Sequence, residues 1–224
     1  MDSLITLVCH FIDGNKCVEL FGELLKHKAT NFGIDGKLEL NGLDLNSNSI
    51  KSQDFDSIFN QSDVIIEYVD FSQNDLKNIS LKNWDHWNRL TDINLSDNKL
   101  KVIDKKLFEL KKVKKLDLSN NKLSQLPLGK EVKISASLSE LYLGNNRIKE
   151  LGEALVESCI EILDLQHNRF EVVPKHLGKM KLLIDLNLIG NKGILEFPPF
   201  FTKMSPFIKE LKLEKMNQVR WKIN

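Results

Sequence analysis

Apolar and polar positions follow one pattern along this chain, and the pattern returns every 22 to 26 residues. Each copy opens with an apolar residue and two variable ones, and then apolar and polar residues alternate, as in LTDINLSDNKL from Leu90. Strict alternation predicts a β-strand with one buried side, so we expect one strand in each copy. The other copies begin at Leu40, Ile66, Val113, Leu138, Ile160, Leu183 and Ile208.

An asparagine follows the predicted strand in every copy except the last, where Met216 stands instead. At this point the chain must turn through a buried corner that has no neighbouring strand to bond its backbone. A carboxamide carries both donors and an acceptor for such stranded backbone groups. We therefore expect these residues to stack as a structural ladder: Asn48, Asn74, Asn98, Asn121, Asn146, Asn168 and Asn191.

The segments between strands carry apolar residues at helical or looser spacing, and Pro127, Pro174 and Pro198 stand where turns begin. This spacing predicts short helices or 3₁₀ turns on the side opposite the strands. The fourth copy also contains an insertion, EVKISAS, before Leu138. We expect that insertion to bulge from the outer side.

The repeated motif resembles that of the leucine-rich-repeat family, whose units are about 20 to 29 residues long. The resemblance implies an α/β fold, a leucine-rich-repeat solenoid or horseshoe. Its parallel β-sheet would line the concave face, with short helices, 3₁₀ turns and loops on the convex face. Residues 37–224 would form eight such repeats, which bury their apolar sides only by stacking on one another.

Residues 1–36 lack the repeat, and Cys17 to Lys28 is apolar at helical spacing, which predicts a helix that caps the solenoid. The stretch from Gly14 to Leu40 also resembles an ankyrin repeat, which leaves open that residues 1–36 are the end of a preceding module. The last repeat ends without a cap signature. We therefore expect the natural chain to continue past residue 224.

Composition narrows the class of protein. The 224 residues are 42% hydrophobic and 28% charged, and no apolar stretch approaches the roughly 18 residues of a membrane span. No Lys or Arg precedes the apolar run 4–11, which argues against a secretory signal. The three cysteines form no paired cluster, which favours a reducing compartment. We expect a cytoplasmic protein.

Motifs of catalysis are absent from the sequence. The five histidines fall in no zinc-binding spacing, and neither a phosphate-binding loop nor a nucleophile elbow occurs. We therefore expect no enzyme activity, metal, cofactor or small-molecule substrate. The lysine-rich run from Lys105 to Lys115 is interrupted by Glu109 and lacks aromatic residues for base stacking, so we expect no nucleic-acid partner.

The exposed strand positions are acidic. On each predicted strand, two positions face solvent, and across the eight repeats they form two columns of eight positions. Together these columns hold eight carboxylates and two lysines, a formal charge of −6 on a chain of net charge +1. Charge gathered in a concavity attracts the opposite sign, which predicts a basic protein or peptide as partner. Alternatively, these acids only solvate the strands. The predicted partner-binding residues are Asp70, Asp92, Asp117, Glu140, Tyr142, Ile162, Asp164 and Asp185.

A second resemblance concerns Gly190 to Met216, where the turn after Asn191 is lengthened to NKGILEFP. This stretch is similar to the last repeats of Roco proteins, in which leucine-rich repeats precede a GTPase domain and a kinase domain. The resemblance implies an alternative function, in which the chain is the recognition or regulatory segment of a larger Roco-type GTPase and protein kinase. The catalytic parts would then lie outside these 224 residues.

Overall fold

A computed structural model describes residues 6–8, 38–48, 50, 64–79, 89–200, 208–213 and 220–221. Nine of its strands form one parallel sheet, in which they follow chain order. The predicted solenoid, with one strand in each repeat, is confirmed. The nine strands are β1 (Thr6–Val8), β2 (Leu38–Asp44), β3 (Val64–Asp70), β4 (Asp92–Asn94), β5 (Lys115–Asp117), β6 (Glu140–Tyr142), β7 (Ile162–Asp164), β8 (Asp185–Asn187) and β10 (Glu210–Lys212).

The sheet extends across the boundary that the sequence predicts at residue 37. Strand β1 pairs in parallel with β2, and Leu7 lies opposite Leu43 in the same register that joins all later strands. The segment LITLVC from Leu4 is thus a shortened form of the repeat opening, which is why it joins the sheet. The predicted helix from Cys17 to Lys28 lies outside the described residues.

Three 3₁₀ helices lie on the convex side of the described part, at Lys105–Glu109, Glu153–Glu157 and Lys175–Lys179. Each buries one leucine, and Pro174 stands at the N-cap of the third. A separate parallel pair joins β9 (Glu196–Phe197) and β11 (Arg220–Trp221). None of the described helices has the length and apolarity needed to cross a lipid bilayer.

The core runs through the stack of repeats as one cluster. Leu116, Leu141, Leu163 and Leu186 lie opposite one another along neighbouring strands, and all are 0% exposed. Each leucine therefore packs on the equivalent leucine of the next repeat. Burying such a side chain contributes about 1.5 to 3 kcal/mol, and this is what orders the strands side by side.

The ladder asparagines bond each repeat to the one before it. Asn121 illustrates the arrangement, since its Oδ1 accepts from the Leu100 N–H at 2.9 Å and its Nδ2 donates to the Leu95 carbonyl at 2.9 Å. The same Nδ2 also donates to the carbonyls of Leu118 and Ser119 in its own repeat. Equivalent bonds are made by Asn74, Asn98, Asn146, Asn168 and Asn191.

A left-handed residue precedes every ladder asparagine and makes the corner. Its φ is 54° at Asn120, 55° at Asn145 and 76° at Gly190. At Gly190 a Cβ would collide with the ring of His167 in the preceding repeat. The other left-handed corner residues are Ser47, Gln73, Asp97 and His167.

Candidate protein-binding surface

Two rows of side chains cross the concave face from β5 to β10, and strand pairing sets their order. Neighbouring strands lie about 4.8 Å apart, so side chains adjacent in a row are within reach of one another. Together the rows form what we call the acidic surface. The first row is Lys115, Glu140, Ile162, Asp185 and Glu210, and the second is Asp117, Tyr142, Asp164, Asn187 and Lys212.

Tyr142 lies at the centre of the acidic surface. Its hydroxyl donates to Glu140 Oε2 at 3.0 Å, and Lys115 Nζ lies 5.2 Å from the centre of its ring. Partial burial, the Glu140 carboxylate and the charges of Asp117 and Asp185 raise the pKa of Tyr142 to about 12. The phenol is therefore held neutral and in one orientation within a field of negative charge.

The carboxylates of the acidic surface also affect one another. Burial raises the pKa of Asp164, and the charge of Asp117 adds to the rise, while hydrogen bonds from Gln166 oppose it. Lys212 is bonded to Glu210 at 3.2 Å, and that bond, with Asp185, raises the pKa of Lys212. Negative charge thus exceeds positive charge locally, because two lysines face five carboxylates.

Some of these acids have a structural task as well. At the end of its strand, Asp117 Oδ1 accepts from the backbone N–H of Ser119 at 2.9 Å, and Asp164 Oδ1 accepts from that of Gln166 at 2.9 Å. Asn94 makes the same turn with Ser96. The preference for Asp or Asn between the inner leucines therefore comes partly from this turn, which is a reason for acids there that does not involve a partner.

Asp70 does not belong to the displayed surface. It is 8% exposed, so the expectation that it faces solvent is wrong. Its Oδ2 accepts from the Tyr68 hydroxyl and from Asn94 Nδ2, both at 2.9 Å, while Oδ1 accepts from the Ser72 N–H. The tyrosine and the neighbouring repeat cover the carboxylate, which leaves it little surface for a partner.

Asp92, the remaining predicted residue, lies on β4 directly beside Lys115, at the N-terminal edge of the acidic surface. It lines a cleft of about 130 Å³ on β3 to β5 together with Tyr68 and Lys115. Its Oδ2 accepts from the Thr91 hydroxyl at 2.7 Å. The structure therefore brings Asp117, Glu140, Tyr142, Ile162, Asp164 and Asp185 together, with Asp92 next to them on β4, and leaves Asp70 covered.

Lys115, Glu210 and Lys212 were not predicted as site residues, yet they belong to the same two rows. Their positions follow from the repeat spacing, but their roles depend on contacts between repeats. Lys115 touches the ring of Tyr142, and Lys212 bonds Glu210. Among the described residues, no group of His, Cys, Asp and Glu is arranged to hold a metal ion.

Stacked repeats, a buried carboxamide ladder and one exposed sheet face define a solenoid repeat protein, a class that displays strand side chains to other molecules. Residues 88–148 match the family described as "Leucine rich repeat". The fold of the described strands is that of a leucine-rich-repeat solenoid, and residues 88–148 carry the family's repeat. Proteins of this family generally bind proteins or peptides.

Relatives share the repeats but differ in what surrounds them. The chain is 34% identical over 104 residues to "Probable serine/threonine-protein kinase pats1" of Dictyostelium discoideum. The aligned stretch covers 44% of this chain and 3% of the kinase. It is 28% identical over 127 residues to human Toll-like receptor 1, and this stretch covers 55% of this chain and 16% of the receptor. The chain thus spans a small part of these relatives.

A solved leucine-rich-repeat protein of Leptospira interrogans has the same fold. It superposes with a TM-score of 0.66 at 24% identity, over 83% of this chain and 50% of the bacterial one. At that identity the likeness concerns the fold alone.

Proposed function

We propose that the chain is a cytoplasmic adaptor or scaffold that holds a basic segment of another protein against the acidic surface. It carries out no reaction of its own. The observation that supports this most is the set of five carboxylates on the acidic surface, three of which, Glu140, Asp117 and Asp185, raise the pKa of Tyr142. Mutual repulsion among them is relieved when a cation enters.

The arrangement suits a basic peptide for two further reasons. Tyr142 and Ile162 are half-buried and offer apolar contact amid charge, and tyrosine is enriched among residues that dominate binding energy. Lys115 lies over the Tyr142 ring, so this ring already attracts a cation, and a partner arginine would replace Lys115 there.

The double variant Tyr142→Ala with Asp164→Lys tests the proposal. A partner is first captured from cell lysate and identified by mass spectrometry, and its affinity is then measured by calorimetric titration. We expect the double variant to lose at least about tenfold in affinity, because it removes the apolar anchor and reverses one charge.

Glu150→Lys is the matched control, since Glu150 is exposed and lies outside the acidic surface. It should change the affinity by less than about twofold. If the double variant binds as the wild type does, the acidic surface is not the binding site. If the control and the double variant lose affinity equally, the partner responds to the total charge of the protein and not to the acidic surface.

A second candidate function is supported by the likeness to the Dictyostelium kinase and by the lengthened turn after Asn191. In that case the repeats are the recognition or regulatory segment of a larger Roco-type GTPase and protein kinase. Sequencing the full transcript separates the two functions. A phosphate-binding loop following residue 224 supports the kinase, whereas a stop codon supports the adaptor.

A further inference from the structure

A groove of about 600 Å³ opens on the convex side, away from the acidic surface. Its walls are residues 130–134, which include the first part of the EVKISAS insertion, and the 3₁₀ helix Lys175–Lys179, while the 3₁₀ helix Glu153–Glu157 forms its floor. We call it the convex groove. Its volume lies within the roughly 300 to 1,000 Å³ of sites that bind ligands.

Hydrogen bonds hold the insertion wall of the convex groove in place. The insertion is fixed to the preceding repeat, since the Ser135 N–H donates to the Phe108 carbonyl at 2.8 Å and the Ser137 hydroxyl donates to the Lys111 carbonyl at 2.7 Å. At the floor, a Cβ on Gly152 would collide with the backbone of Leu128. The groove therefore exists before any ligand arrives, which limits the entropy lost on binding.

Positive charge lines both walls. Lys130 is paired with Glu153 at 3.2 Å, whereas Lys133, Lys175 and Lys179 make no ion pair with any described residue. All of these lysines are exposed. Charge on facing walls attracts an anionic ligand that lies between them.

The floor of the convex groove is apolar as well as acidic. Ala154 and Val156 are half-buried and line it beside Glu153 and Glu157, and the half-buried Ile134 belongs to the adjoining wall. The two carboxylates repel a dense polyphosphate or a lipid headgroup layer, and a flat membrane does not reach the floor. A peptide can instead direct acidic side chains to the wall lysines and an apolar side chain to the floor.

We propose that the convex groove binds an acidic segment of a second protein that carries at least one apolar side chain. This surface differs from the acidic one in both charge and location. The chain thereby offers two binding surfaces of opposite sign, which is what bridging two partners requires. The proposal does not depend on the function proposed for the concave face.

A fluorescent peptide of alternating Glu and Leu tests the proposal. A peptide of about eight residues is about 26 Å long when extended, because an extended chain covers about 3.3 Å per residue. The groove variant combines Lys133→Glu with Lys175→Glu, one lysine from each wall. Measured by fluorescence anisotropy, its affinity should be at least about tenfold lower than that of the wild type.

The control variant, Lys181→Glu with Lys192→Glu, makes the same change in net charge at exposed positions outside the groove. It should bind within about twofold of the wild type. Equal weakening in both variants overturns the proposal, because only total charge would then matter. Unchanged binding by the groove variant also overturns the proposal. Circular dichroism checks that this variant is folded.

Two further probes test the identity of the occupant. A peptide of alternating Glu and Asn, which lacks apolar side chains, should bind several-fold more weakly, and equal affinity would overturn the role of the floor. Vesicles of phosphatidylserine and phosphatidylcholine should not displace the Glu and Leu peptide, and displacement would overturn the choice of a peptide ligand. The Tyr142→Ala, Asp164→Lys variant should bind the peptide as the wild type does.

Discussion

At the residue scale, similar acids in equivalent repeat positions have different environments. Asp70 is covered by the Tyr68 hydroxyl and by Asn94, whereas Asp164 remains half-exposed in the equivalent position. The sequence pattern predicts that both lie on the concave face, but not how much of each is covered. Coverage depends on the side chain of the next repeat, which the pattern of one repeat does not contain.

Tyr142 should ionise far above the ordinary range of tyrosine. In a Tyr68→Phe background it is the only tyrosine, and its phenolate absorbance should have a midpoint at about pH 12. Because the folded state holds the proton more tightly than the unfolded chain, the stabilisation from this group is complete below about pH 10 and falls as the pH rises towards 12.

Glu140→Gln in the same background is the control for that titration. It removes the carboxylate that accepts from the phenol and repels the phenolate, so the midpoint should move down towards the ordinary value. A midpoint near 10 without the Glu140 substitution would contradict the described contact between the two side chains.

At the scale of a single element, the corner after each strand combines a left-handed residue with a buried asparagine. Sequence spacing is sufficient to locate each asparagine, because the carboxamide is needed once per repeat. The position of β1 was harder to predict, since LITLVC lacks the asparagine and the following leucine. The convex groove could not be predicted, because it depends on how the insertion bonds to Phe108 and Lys111.

Replacing one ladder asparagine should destabilise the fold. Asn121→Ala leaves the Leu100 N–H without its partner in a buried corner, and the Leu95 carbonyl keeps only the longer bond from Asn98 Nδ2. We expect a loss of about 2 to 4 kcal/mol in the free energy of unfolding, measured by urea denaturation. Lys122→Ala, at the exposed neighbouring position, should cost less than about 0.5 kcal/mol. Similar costs for the two variants would mean that the ladder does not bear on stability.

At the scale of the whole molecule, each repeat is stabilised by its two neighbours, so position in the stack decides how much a core residue contributes. Leu141 in β6 is 0% exposed, whereas Leu211 in the equivalent position of β10 is 37% exposed. The fold is therefore a series of similar interfaces, and its stability is close to a sum over them.

The same substitution at the two positions tests this view. Leu141→Ala should cost about 2 to 5 kcal/mol, because it leaves a cavity between two repeats. Leu211→Ala should cost no more than about 1.5 kcal/mol, since less of its surface is removed from water. Urea denaturation followed by circular dichroism measures both. Equal costs would show that the stack does not behave as a series of neighbouring interfaces.

The distance from the last strand residue to the ladder asparagine is four residues in each of the seven repeats that have one, from Asp44 to Asn48 through Asn187 to Asn191. All the variation in repeat length consequently falls between an asparagine and the following strand. Gains and losses of residues can accumulate on the outer side of this protein without shifting the inner alignment. New loops, and with them new affinities, can therefore arise there while the older sheet keeps its geometry.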